Sequence, residues 1–143
     1  MLQFYDILSN AKEEHYMSLL ENFKPFNFNE GVPYVSITNH GITFNKSVVM
    51  KLDYPKFALL LIDANSKQIA VKSSSELVPN AVPFYKEKKS NVISVRWNGR
   101  DLLNTIQEMM GWDLEKNSFR IDGSLLKEEN AMIFDLKTAK PLN

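Results

Sequence analysis

From Phe4 to Phe23 the apolar positions Phe4, Leu8, Ala11, Leu19 and Phe23, joined by Tyr16 and Leu20, fall at helical spacings. That spacing predicts an amphipathic helix over 2–23 with one apolar stripe. Asn10 with Glu13 three residues later has the form of a capping pair, so two helices meeting near Ser9–Asn10 are the alternative. Pro25 stops the pattern, and "KPFNFNEGVP" over 24–33 reads as a connection. The period then changes from helical to alternating. Val35 and Ile37 share one face of "YVSIT", Asn39-His40-Gly41 suits a tight turn, and Ile42 and Phe44 resume a strand. Asn45 is placed to cap a short helix carrying Val48, Val49 and Leu52, which Asp53-Tyr54-Pro55 closes.

"FALLLI" (57–62) and "KQIAVK" (67–72) flank the turn composition Asp63-Ala64-Asn65-Ser66, which predicts a hairpin whose first strand is covered on both faces. Residues 74–91 hold two prolines, serines and the charge run Lys86-Glu87-Lys88-Lys89, and read as a linker. The pattern then restarts. "VISVRW" (92–97) puts Ile93, Val95 and Trp97 on one side of a strand, and Asn98 is placed to cap a helix carrying Leu102, Leu103, Ile106, Met109 and Met110. Gly111 is its stop, and "SFRID" and "AMIFDL" are strands able to pair beyond it. The predicted fold is therefore α+β: an N-terminal helix and connection (1–33), then a core (34–143) of two strand–helix–hairpin (βαββ) units at 34–73 and 92–137. Both corners place Asn after an aromatic residue, Phe44-Asn45 and Trp97-Asn98, which raises the question of internal duplication.

The stretch "HGITFNKSVVMKLDYPKFALLLIDANSKQIAVK" (40–72) resembles the AbrB/MazE/SpoVT class of swapped-hairpin DNA-binding modules. Gly41 matches that class's turn glycine, Lys46 its corner lysine and Leu52 its helix-end leucine, with "FALLLID" and "QIAVK" as the hairpin. The resemblance implies that two βαββ units interleave into one barrel, within this chain or through a homodimer, and that the partner is DNA. Two positions depart from the pattern. Asn45 replaces the usual Pro, and the first strand and turn present Ser36, Thr38, Asn39, His40 and Ile42 where the class presents Arg or Lys. Phosphate attraction needs positive charge, which those residues do not bring.

Composition narrows the function class. With 143 residues the chain reaches a self-sufficient core, and the absence of Cys removes disulfides, thiolate metal sites and cysteine nucleophiles. His15 and His40 have no metal-ligand spacing, and both read as structural: a packing residue and a turn residue. The adjacent pairs Glu13-Glu14 and Glu128-Glu129 point apart on a helix and read as solvated surface. Five glycines at 31, 41, 99, 111 and 123 fit no phosphate loop, and no Gly-x-Ser-x-Gly elbow occurs. The expectation is a non-enzymatic protein with no cofactor and no metal. Charged residues break the N-terminal stretch, and the longest apolar run is 57–62, so neither a signal peptide nor a membrane span is predicted and a cytoplasmic location is expected.

The net charge of zero is unevenly spread: residues 40–100 carry ten bases and four acids (+6), against −3 for 1–30 and −3 for 101–143. This singles out Lys46, Lys51, Lys86, Lys88, Lys89, Arg96 and Arg100 as a candidate nucleic-acid-binding set, with Lys56 and Trp97 near them. Arg96 alternates with Val95 and Trp97 and so points outward. Arg100 opposes the dipole of the helix it opens, which a neighbouring acid or a phosphate partner would each explain. The leading expectation is a regulator that binds DNA or RNA through this region. The alternative is an adaptor that docks on a protein partner through the same face or through the N-terminal helix.

Overall fold

Asn45 sets how the chain enters its sheet. In the computed structural model, which describes residues 19–26 and 31–142, its Oδ1 accepts from the Val48 amide (3.2 Å) and the Tyr34 amide (3.0 Å), while its Nδ2 donates to the Val32 carbonyl (2.8 Å). One side chain thus caps helix α1 (Lys46–Lys51) and pins the start of strand β1 (Tyr34–Thr38) to the end of β2 (Gly41–Phe44). Gly41 begins β2 at φ +145°, where a Cβ would lie 2.6 Å from the Trp97 carbonyl oxygen, so only glycine allows β6 (Val95–Trp97) to approach this closely.

The remaining strands are β3 (Phe57–Asp63), β4 (Gln68–Ser74), β5 (Val82–Pro83), β7 (Phe119–Leu126), β8 (Ala131–Asp135) and β9 (Lys140–Pro141). Helix α2 (Arg100–Met110) follows β6 and ends at Gly111 in the left-handed region, with Leu103 and Ile106 buried. The nine strands among the described residues join one antiparallel sheet in the order β5-β3-β4-β8-β7-β1-β2-β6, with β9 also on β7. β7 carries the turn of the sheet: its first half pairs with β1 and its second half with β8. Between the halves stands Gly123, where a Cβ would come within 2.8 Å of both Met132 and Phe134, so those side chains lie directly over its backbone.

The α+β expectation of an N-terminal helix and two βαββ units forming an interleaved barrel is corrected. The protein is mostly strand, one antiparallel sheet curled into a half-barrel, and α1 is only six residues long. Local elements were read in the right order, and the expected pairs β3–β4 and β7–β8 form, but the pairing between the two supposed units was not foreseen. β2 hydrogen-bonds to β6 and β4 to β8, so 34–73 and 92–137 share one ladder and one core instead of making two units. β1, read as the start of the first unit, is also the partner of β7 from the second. The second corner differs as well: Gly99, not Asn98, is the N-cap of α2, and no side chain caps it. β6 shrinks from the expected 92–97 to three residues because β2 offers only Ile42–Phe44 to pair with. The helix expected over 2–23 falls largely outside the described residues; its last apolar positions, Leu19, Leu20 and Phe23, are exposed. Among the described residues no helix is long and apolar enough to cross a membrane.

The core centres on the fully buried Phe44, whose ring lies 5.2 Å from Trp97, 5.6 Å from Phe84 and 5.8 Å from Phe134. Val35, Ile37, Ile42, Ile69, Val71, Ile121 and Met132 complete the inner face, and α2 covers it with Leu103 and Ile106. On the surface two carboxylates are paired with lysines: Glu129 with Lys72 of β4 at 2.8 Å, and Asp135 at the end of β8 with Lys137 two residues on at 2.9 Å. The hydrogen bond from Lys72 holds Glu129 below the ordinary carboxylate range, and that from Lys137 does the same for Asp135.

Replacing Asn45 by Ala removes a cap and a strand anchor together, and urea melts are expected to show a loss of about 1–2 kcal/mol. A carboxylate whose folded pKa is depressed adds stability above its unfolded pKa and loses it as pH falls through the folded value. Carboxyl NMR titration should therefore find Glu129 and Asp135 still ionised below the usual range, and Lys72→Ala should return Glu129 alone to it.

Candidate functional site

The edges of the sheet nearly meet. β5 is one edge and β6 the other, and the Trp97 indole Nε1 donates to the Pro83 carbonyl across the gap at 3.1 Å. Phe84, the residue after β5, packs its ring 5.7 Å from Trp97 and 5.6 Å from Phe44. Neither edge continues the ladder to the other. β5 is two residues long and carries Pro83, which has no amide hydrogen, and β6 is three residues long. The seam is closed by side chains and stays open above them.

A cleft of about 380 Å³ occupies that seam, walled by Val82, Pro83 and Phe84 on one side and by Ser94, Val95, Arg96 and Trp97 on the other, with Lys86 and Lys88 at its lip. Arg96 is exposed, and its Nε donates to Thr43 Oγ1 at 2.9 Å, which holds the planar head in one orientation above β2. On the far side of the same 82–88 segment lies a second cleft of about 790 Å³, lined by Tyr54, Lys56, Phe57, Pro83, Tyr85, Lys86 and Glu87. The two clefts share Pro83 and Lys86, so the segment forms a ridge between them. That ridge is fixed to the sheet by backbone bonds from Phe84 N to Lys56 O (2.8 Å) and from Tyr85 N to Pro55 O (3.0 Å).

Of the seven cations singled out in the sequence, Lys86, Lys88 and Arg96 are brought together at the first cleft. Lys89 is exposed one residue farther along the ridge segment. Lys46 and Arg100 stand apart. Lys46 opens α1 at the Phe44 end of the β2–β6 pair, while Arg100 opens α2 beyond the other end, where Gly41 approaches Trp97. Lys51 is half-buried at the end of α1, near the Leu52 carbonyl that Asn130 reaches at 3.4 Å. His40 is exposed in the β1–β2 turn, and His15 lies outside the described residues.

The aromatic residues Tyr54, Phe57 and Tyr85 were not singled out in the sequence. The signal was present in "VPFYK" (82–86), an apolar and aromatic run inside a segment whose prolines and lysines suggest a linker. Tyr54 was read only as part of a helix stop, and its position in a cleft follows from the unusual backbone there. Among the described residues, no three His, Cys, Asp or Glu side chains gather where a metal ion would need them. What the two clefts present chemically is positive charge beside aromatic and apolar walls. No family model, curated protein or solved structure matches this chain.

Trp97→Phe keeps an aromatic ring, smaller than the indole, and removes the hydrogen bond to Pro83. It is expected to speed amide hydrogen exchange at residues 82–86 and cost about 1 kcal/mol of stability, with α2 exchange unchanged.

Proposed function

We propose that this protein is a non-enzymatic binding module whose ligand is a single-stranded nucleic acid, RNA or DNA, laid across the 82–88 ridge. The carrying observation is that Lys86, Lys88 and Arg96 line one cleft against Trp97, with a second, aromatic cleft sharing Lys86 on the other side. Strands without a duplex expose both phosphates and base faces, and their recognition combines a cationic track with aromatic platforms. A duplex would instead require an element that protrudes into a groove. The outward-facing cations here border clefts, and the first strand and turn, where the AbrB-like class carries its basic residues, present Ser36, Thr38 and His40.

Three phosphate contacts give a slope of log affinity on log salt of about −2 for a single strand, so affinity should fall roughly 20-fold between about 50 and 200 mM salt. Fluorescence anisotropy with a labelled oligonucleotide measures this. Lys86→Glu with Lys88→Glu should weaken binding at least about 10-fold and flatten the slope. Lys67→Glu, at the β3–β4 turn remote from β5, should leave it unchanged. Absence of affinity at low salt, or equal loss from the Lys67 variant, would rule the reading out.

Exposed Leu19, Leu20 and Phe23 favour a second reading, docking of this segment on a protein partner. Deleting residues 1–26 should then release a co-purifying protein while leaving oligonucleotide affinity intact.

A further inference from the structure

The larger cleft holds chemistry that a cationic track alone does not need. Tyr54 and Tyr85 meet edge to face, with ring centroids 5.2 Å apart and planes at 67°. In such a pair the ring that offers its edge keeps its own faces for another partner. Tyr54 is 38% exposed, so part of its ring is open to solvent.

The backbone that holds Tyr54 there is strained. Asp53 and Tyr54 are consecutive non-glycine residues at φ +64° and +51°, both in the left-handed region. Backbone hydrogen bonds donated by the Asp53 amide to the Met50 carbonyl (3.0 Å) and by the Tyr54 amide to the Val49 carbonyl (2.9 Å) hold them in place. Strain of this kind persists only where the surroundings over-determine it, and it concentrates at ligand sites. Tyr85 is fixed beside it, since its amide donates to the Pro55 carbonyl and that of Phe84 to the Lys56 carbonyl. The cleft is therefore preformed, and at about 790 Å³ it lies within the ordinary range for small-ligand sites.

Charge selects the occupant. Lys56 and Lys86 against Glu87 leave the lining with an excess of positive charge. A quaternary ammonium, the usual guest of an aromatic cage, would meet two lysines. A flat ring bearing an anionic group meets the aromatic faces with its ring and the lysines with its charge. We infer that the Tyr54–Tyr85 cleft is a subsite for one nucleotide, with the base against the tyrosines and Phe57 and the phosphate on Lys56 and Lys86. This rests on the single-strand reading above and extends it, because Lys86 would pass the strand from the base subsite to the cleft of Lys88 and Arg96. A free nucleotide offers the same chemistry as one within a strand.

The test uses the full chain and probes that differ only in the base. Adenosine 5′-monophosphate and ribose 5-phosphate are titrated against ¹⁵N-labelled protein, and a labelled oligonucleotide is compared with an abasic strand of equal length. The expected result is that adenosine 5′-monophosphate shifts the amides of Tyr54, Phe57 and Tyr85 and ribose 5-phosphate does not. The base-bearing strand should bind about 10-fold tighter than the abasic one. Tyr54→Leu and Tyr85→Leu should erase that difference while leaving abasic affinity in place, which also shows that the variants are folded. If the two strands bind equally and adenosine 5′-monophosphate shifts none of these amides, the base subsite is refuted and the cationic track stands. Should neither strand bind while adenosine 5′-monophosphate still shifts those amides, the cleft is a free-nucleotide site and the single-strand reading fails. With no response from any probe, both fail.

Discussion

The contact between Phe44 and the aromatic rings of Phe84, Trp97 and Phe134 is the constraint on which the rest depends. These rings come from β2, from the residue after β5, from β6 and from β8, so one buried side chain gathers both edges of the sheet and its middle. An antiparallel sheet twists of its own accord, but twist does not bring its edges together. Burying four large aromatics against each other does, and each such pair adds roughly 0.5–1.5 kcal/mol beyond the area it removes from water. The Trp97–Pro83 hydrogen bond then fixes the distance between the edges.

An incompletely closed barrel leaves a seam. Exposed edges invite other chains to add to the sheet, and this protein shortens both edges and places a proline on one. The same shortening leaves clefts at the seam. Strands long enough to pair across the gap would fill it with ladder hydrogen bonds and side chains. Because β5 and β6 stop early, the 82–88 segment stands as a ridge flanked by two clefts, with Lys86 reaching both. Packing thus places the cations, and the cations in turn give the seam its positive charge. Lys46 and Arg100 carry the same charge but lie at opposite ends of the β2–β6 pair, and neither lines these two clefts.

The candidate site was only half legible in the sequence. Lys86, Lys88 and Arg96 stand out by charge alone, since a basic stretch in a neutral chain is visible without a fold. Tyr54, Phe57 and Tyr85 do not, because an aromatic residue near a proline reads as local punctuation until a distant wall faces it. The left-handed pair at Asp53–Tyr54 is only half signalled: Asp tolerates that conformation, but Tyr54 has no such preference and is held there by the turn that closes α1. The linker expected at 74–91 shows the same limit. Its composition is that of a loop, yet its apolar residues Val82 and Phe84 join an edge strand and the core.

Alternation and capping chemistry, which act within a few residues, determined where β1, β2, β3, β4 and β8 run, that Asn45 caps α1, and that Gly111 ends α2. Which strand lies beside which was decided only in three dimensions. β2 against β6 and β4 against β8 depend on side chains far apart in the chain meeting around Phe44, and that meeting turns two apparent units into one sheet. The physical reason is range: a hydrogen-bonded turn is specified by its own residues, whereas strand partnership is specified by which faces bury together, and that is a property of the whole core.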